Sequence, residues 1–173
     1  MKPTLFIFIL FTSSLYAQTS FTSLYSQHPS VPKGFIEAYA YTHTRMQALT
    51  KNESASCSNI PQPFGILGLF DEGNHYFIEN AKKISQLSGI SLQAMKVSND
   101  QQLTAFAQTC EILMQQPLSQ GLSEGEIIYH LMAQLSEIPK TNAGNLYAFE
   151  SSVFDIFHFL QDEEMAAKFG FQQ

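Results

Sequence analysis

The chain has 173 residues, of which 45% are hydrophobic and 14% charged, with a formal net charge of -6, two cysteines and no tryptophan. A chain of this size buries roughly 68–70% of its unfolded surface, and its apolar content excludes a disordered tail. No repeat of roughly 20–50 residues is visible, which excludes a solenoid. The acidic balance and the lack of a Lys/Arg cluster exclude nucleic acid and an anionic membrane as partners. Two cysteines are too few for a disulfide scaffold or a Cys-rich zinc site.

Lys2 is the only charge before Lys33, and Leu5 to Phe11 is a short apolar run followed by Thr12-Ser13-Ser14 and Leu15-Tyr16-Ala17. This is the layout of a secretory signal peptide over residues 1–17, with cleavage after Ala17. The run is too short to cross a bilayer of roughly 30 Å as a helix. The expected mature chain starts at Gln18, and losing Lys2 leaves 8 basic against 15 acidic side chains. It is exported to the periplasm or the extracellular space, with no membrane association after cleavage, in a compartment that permits disulfides.

The mature chain reads as helices. Ser30 is placed to cap a helix with Pro32 in its first turn, and Ile36, Tyr39, Ala40 and His43 share one face of it. Residues 51–63 form a polar loop. Phe64 to Phe70 is a short apolar run with glycines at 65 and 68. Phe77, Ala81, Ile84 and Leu87 mark the next helix, which Gly89 ends. Ser91 caps a short third helix. Leu103, Phe106, Ala107, Cys110, Leu113 and Met114 form an amphipathic stripe that Pro117 is expected to end. Ser123 and Glu126 form a capping box for a helix carrying Ile127, Ile128, Leu131, Met132 and Leu135. The last helix carries Leu146, Phe149, Val153, Ile156, Phe157 and Leu160 on its apolar face, with Phe154 and Phe159 off it. No useful run alternates with period two. The expected fold is all-α, with at most a minimal β-hairpin near residues 60–72.

The segment Phe35-Ile36-Glu37-Ala38-Tyr39-Ala40-Tyr41-Thr42-His43-Thr44-Arg45, followed by Gly65-Ile66-Leu67-Gly68-Leu69, resembles the lysozyme-like superfamily. More narrowly, it resembles the soluble lytic transglycosylases and the related domain that precedes N-acetylmuramoyl-L-alanine amidase modules in secreted bacterial proteins. That family reads apolar-x-A-x-A-x-x-E-[ST]-x, then a loop, then G-[LI]-[ML]-Q-[LI]. Asn80 to Ser91 and Asn99 to Leu103 are similar to later segments of the amidase-associated domains. The resemblance covers about residues 28–116. It implies a lysozyme-like domain over 18–116, with a helical extension over 117–173.

Two departures bear on activity. By alignment His43 stands where the family has its general-acid glutamate, and Gly68 replaces the glutamine of the glycine motif. Glycosidic cleavage of this kind needs a carboxylic acid of raised pKa to protonate the leaving oxygen. An imidazolium is a poor neighbour for an oxocarbenium-like centre. Glu37 lies six residues before His43, roughly 120° around a helix of 3.6 residues per turn. Asp71 and Glu72, after the glycine motif, are the candidates for a displaced acid. Tyr39, Gly65, Ile66, Leu67, Gly68 and Phe70 are the candidate glycan contacts, with Tyr41 a further aromatic near the cleft.

His75 and Glu79 share a helix face but lack further ligands, so no metal site and no cofactor is expected. No G-x-S-x-G, phosphate loop or H-E-x-x-H is present. Cys57 and Cys110 are a candidate disulfide that would close a long loop and stabilise by roughly 4 kcal/mol; a buried thiol at Cys110 with Cys57 free is the alternative. His130 and His158 read as core-edge histidines. The expectation is an exported peptidoglycan-associated module, catalytically degenerate, that binds glycan strands and belongs to the N-terminal part of an amidase-like cell-wall protein, with a following domain as a further partner. The alternatives are an active glycan-cleaving enzyme with a displaced acid and a purely structural interaction domain.

Overall fold

A computed structural model of the chain describes residues 21–50, 61–73 and 76–171. The signal-peptide segment, Cys57 and His75 lie outside these residues. Eight helical segments and no sheet are present among them: α1 (21–27), α2 (Phe35–Thr44), α3 (Asn80–Ser88), α4 (Leu92–Val97), α5 (Asn99–Ser119), α6 (Glu124–Leu135), α7 (Ala143–Gln161) and α8 (Glu163–Phe169). The fold is all-α, and no described helix is long and apolar enough to cross a membrane. In place of a hairpin, the 64–69 segment makes isolated antiparallel bridges, Phe64 with Leu69 and Leu49 with Gly65.

The helix ends follow local chemistry. Ser91 accepts from the Ala94 amide, Ser123 and Glu126 form the reciprocal capping box, and Gly89 closes α3 at φ 75°. Three expectations fail. Ser30 does not cap α2; its hydroxyl donates to Glu111 Oε1 at 3.0 Å, and α2 starts after Gly34 at φ 83°. Pro117 does not end α5, which runs on to Ser119, because a proline near the end of a helix costs few backbone bonds. Leu146 is 46% exposed, since the first turn of α7 projects past its neighbours, whereas Phe159 is buried. α1 and α8 had no counterpart in the sequence reading.

One hydrophobic core runs from Phe21 to Phe171 and draws on every long helix. α5 passes through the 116/117 boundary, and Ile128, Leu131, Phe149 and Ile156 from beyond it share the core with Ile36 and Phe106. At its centre Phe35, Tyr39 and Phe106 pack ring on ring, with centroids 4.7–6.3 Å apart. Burying one such ring contributes roughly 5 kcal/mol by area. Residues 35–40 of α2 are all buried, so its first six residues are enclosed on all sides, while Tyr41 and Thr42 near its end are half-buried.

The glycine segment is held against α5 by one side chain. Gln102, fully buried, accepts from the Leu67 amide at 2.9 Å and donates to the Phe64 carbonyl at 3.3 Å. A Cβ at Gly65 would lie 2.1 Å from Gln102 Nε2, and Gly65 sits at φ 71°, so only glycine fits there. Gln102→Leu strands the Leu67 amide, while the Phe64 carbonyl keeps its bond from the Leu69 amide, and is expected to cost about 1–3 kcal/mol, measured as a drop in the urea unfolding midpoint.

Candidate functional site

The site is the C-terminal end of α2 and what packs on it. α2 ends in an αL reversal: Arg45 N donates to Tyr41 O at 2.9 Å and Met46 N to Ala40 O at 3.4 Å, with both residues at positive φ. The Thr44 hydroxyl lies 2.7 Å from Ala40 O and 2.6 Å from Ile66 O and shares its proton between them. The glycine segment is thereby tied to the end of α2. A Cβ at Gly68 would come within 3.0 Å of Thr44 Cγ2 and 3.2 Å of His43 Cβ. Gly68, at φ 63°, lets the segment lie directly on His43.

His43 is enclosed. Its ring stacks on Tyr39 at 4.0 Å, Nδ1 meets the Tyr39 carbonyl at 2.8 Å, and Nε2 faces Glu137 Oε2 at 3.3 Å. Nδ1 has a carbonyl acceptor and Nε2 a carboxylate at ion-pair distance, surroundings that suit the doubly protonated imidazolium. Burial alone pushes the His43 pKa down, but the Glu137 carboxylate and the Tyr39 carbonyl outweigh it and hold it above its ordinary value. Burial likewise pushes Glu137 up, and His43 outweighs it, so that the carboxyl is held below its ordinary value. The pair attracts as charges without hydrogen-bond alignment, since Glu137 Oε2 is buried and makes no hydrogen bond. The end of α2 adds a favourable dipole for a cation there.

A neutral network backs this pair. Tyr39 Oη donates to Leu135 O at 3.2 Å, and Asn80 Nδ2 donates to Leu135 O at 2.9 Å and to Tyr39 Oη at 3.3 Å. Asn80 Oδ1 accepts from the Phe70 amide at 2.8 Å. One buried asparagine thus joins α2, the glycine segment and the end of α6.

The other site candidates fall in different places. Tyr39 and Leu67 are 0% exposed and Gly65, Gly68 and Phe70 are buried, so none offers a sugar-stacking face; Ile66 is half-buried. Tyr41 is half-buried beneath the Arg45 guanidinium. Asp71 is buried and ion-paired with Lys96 of α4, and Glu72 is exposed. Cys110 is a buried free thiol whose pKa burial pushes up, while Cys57 lies outside the described residues. No group of three or more potential metal ligands occurs among the described residues. His130 is half-buried and His158 exposed.

Sequence reasoning missed one carboxyl, Glu137, and set another, Glu37, aside on helix geometry without its buried surroundings. Glu137 follows α6 in a turn, and its spacing from His43 gives no local signal. Beside it lies an exposed apolar segment: Ile78 N donates to Glu137 O at 2.6 Å, and Tyr76 is 59% exposed. Glu37 is buried against Tyr25 of α1, whose hydroxyl donates to Glu37 Oε2. Burial raises the Glu37 carboxyl from 4.5 to about 7, and the Tyr25 bond only partly opposes this.

These shifts fix two pH dependences. A raised histidine pKa contributes stability that is present below about 6.5 and lost as pH rises through the folded value; a lowered Glu137 contributes stability present above 4.5 and lost as pH falls through its folded value. Glu137→Gln is therefore expected to cost about 3 kcal/mol near pH 6 and much less at pH 9, read from urea midpoints across pH. Glu37 has the opposite sign to Glu137. Its raised pKa withdraws stability as pH climbs from 4.5 through about 7. Glu37→Gln is expected to abolish that fall and to be more stable than the parent at pH 8.5 by up to about 3 kcal/mol, at about 1.4 kcal/mol per pH unit.

In comparisons with known proteins, no protein-family model, no curated protein and no solved structure matched this chain.

Proposed function

We propose that the chain is an exported, peptidoglycan-associated module that binds glycan strands without cutting them, a degenerate relative of the lysozyme-like domain that precedes amidase modules. The observation that carries this reading is the His43–Glu137 pair. At the position where the family has a protonated glutamate, this chain has a cation locked to a buried carboxylate. Proton donation to a glycosidic oxygen needs an acid with access to the bond, and a cationic acid is a poor neighbour for the oxocarbenium-like centre that develops. His43 and Glu137 are enclosed, and Asp71 is engaged by Lys96, a pairing that a proton donor must break. The association of the glycine segment with the end of α2, through Thr44, Gly68 and Asn80, supports the relation to the lysozyme-like layout.

The sugar-facing surface in this reading is not the buried Tyr39 and Phe70. It is the segment Tyr76, Phe77 and Ile78, in which Tyr76 and Ile78 are exposed and Phe77 is half-buried against Phe70, beside the Glu137 turn. Aromatic faces supply apolar area to the C–H faces of sugar rings at low entropic cost.

Incubation of the mature chain with isolated sacculi separates the alternatives. The expected result is co-sedimentation with no soluble muropeptides, and several-fold weaker retention for Tyr76→Ala. Soluble products bearing anhydro or reducing ends, lost in Asp71→Asn or Glu72→Gln, contradict the proposal and mean a working enzyme. Protein left in the supernatant with nothing released also contradicts it and leaves a purely structural domain.

A further inference from the structure

A second region of the molecule, independent of the glycan reading, carries a feature that packing alone does not require. Between α1, α2 and the end of α8 lies a cavity of about 360 Å³ walled by Tyr25, Val31, Lys33, Glu37, Phe169 and Phe171. Its volume lies at the small end of the roughly 300–1,000 Å³ typical of ligand sites. Glu37 is 2% exposed and reaches this space from the first turn of α2. The Tyr25 phenol donates a hydrogen bond to it. A glutamine would accept that bond equally well without the cost of a buried ionisable group. A carboxyl kept at the wall of a cavity is a group held for a ligand.

The charges on the wall select the ligand. Tyr25 from α1 and Lys33 from the turn before α2 are the titratable groups beside Glu37, and the end of α8 contributes Phe169, Gly170 and Phe171. A bare cation gains Glu37 but meets Lys33. A bare anion gains Lys33 but offers nothing to Glu37. A molecule carrying one ammonium and one carboxylate satisfies both, and the aromatic walls give its ammonium further cation–π attraction. We propose that this cavity binds a free α-amino acid, with its ammonium on the Glu37 carboxylate and its carboxylate at Lys33. In the empty site the Glu37 carboxyl keeps its proton beside Tyr25. The entering ammonium replaces it, and the proton leaves to solvent.

Titration calorimetry of the full chain at pH 6, in two buffers of different ionisation enthalpy, tests this. The probes are glycine, L-alanine, L-leucine, L-glutamate and L-lysine, with ethylamine and propionate as single-charge controls. The expected result is saturable binding of at least one amino acid with release of up to about one proton per site. Ethylamine and propionate are each expected to bind at least about tenfold more weakly. Glu37→Gln, which retains the Tyr25 bond, and Lys33→Gln, at an exposed position, are each expected to weaken binding about tenfold while leaving the thermal transition cooperative. Absence of saturable binding by all five amino acids overturns the proposal. So does binding that Glu37→Gln leaves intact, or binding that propionate or ethylamine matches.

Discussion

A polar side chain enclosed within helix packing must find a partner inside the protein, because water does not reach it. This constraint on the buried side chains of α2 organises the molecule. Each of four buried polar side chains is answered by a different element: Glu37 by Tyr25 of α1, Tyr39 by Asn80 of α3 and the last carbonyl of α6, His43 by Glu137 beyond α6, and Thr44 by Ile66 of the glycine segment. The aromatic packing of Phe35, Tyr39 and Phe106 supplies the bulk of the apolar stabilisation around it. The polar partners set which element sits where. Non-directional apolar contact does not fix position in this way, whereas a buried hydrogen bond or ion pair left unmade costs enough to do so.

The same constraint bears on chemistry. In the proposed lysozyme-like reading the end of α2 is the place of a carboxylic acid, and this chain carries the His43 imidazole there. An imidazole with a carbonyl on one nitrogen and a carboxylate facing the other is stabilised as a cation, and the carboxylate is stabilised as an anion. The carboxylate has no proton to give, and the imidazolium, though an acid, is enclosed and ion-paired, away from any ether oxygen. Gly68 belongs to the same change. Its backbone rests on His43 and Thr44, where a Cβ would lie 3.0–3.2 Å from their side chains and φ is positive, so a side chain there is disfavoured. His43 and Gly68 belong to one packing arrangement.

Much of the helical layout was legible from local signals. The Ser123–Glu126 capping box, the Ser91 cap, the Gly89 terminator and the apolar stripe through Phe106 and Cys110 depend on neighbours within a turn, and they hold in the structure. What was not legible depends on contacts across the chain. Ser30 reads as a cap but is taken by Glu111, 81 residues on. Phe159 reads as off the apolar face, yet α8 and Phe171 return to cover it, with ring centroids 5.6–5.7 Å away. Tyr39 and Phe70 read as cleft aromatics because sequence spacing gives a face but not what covers it. Glu137 carried no local signal at all, although it decides the charge of the one residue the sequence marked most clearly.

The charge state of His43 is therefore the point on which the account stands. It is measured directly by following the His43 ring nitrogens and carbon-bound protons by NMR as pH is varied. The account predicts an imidazolium that is more than half populated at pH 6.5, with both nitrogens protonated, and a midpoint that falls toward or below the ordinary histidine value in Glu137→Gln. A His43 that is neutral at pH 6.5 in a single tautomer, or one whose titration ignores the loss of Glu137, would contradict it.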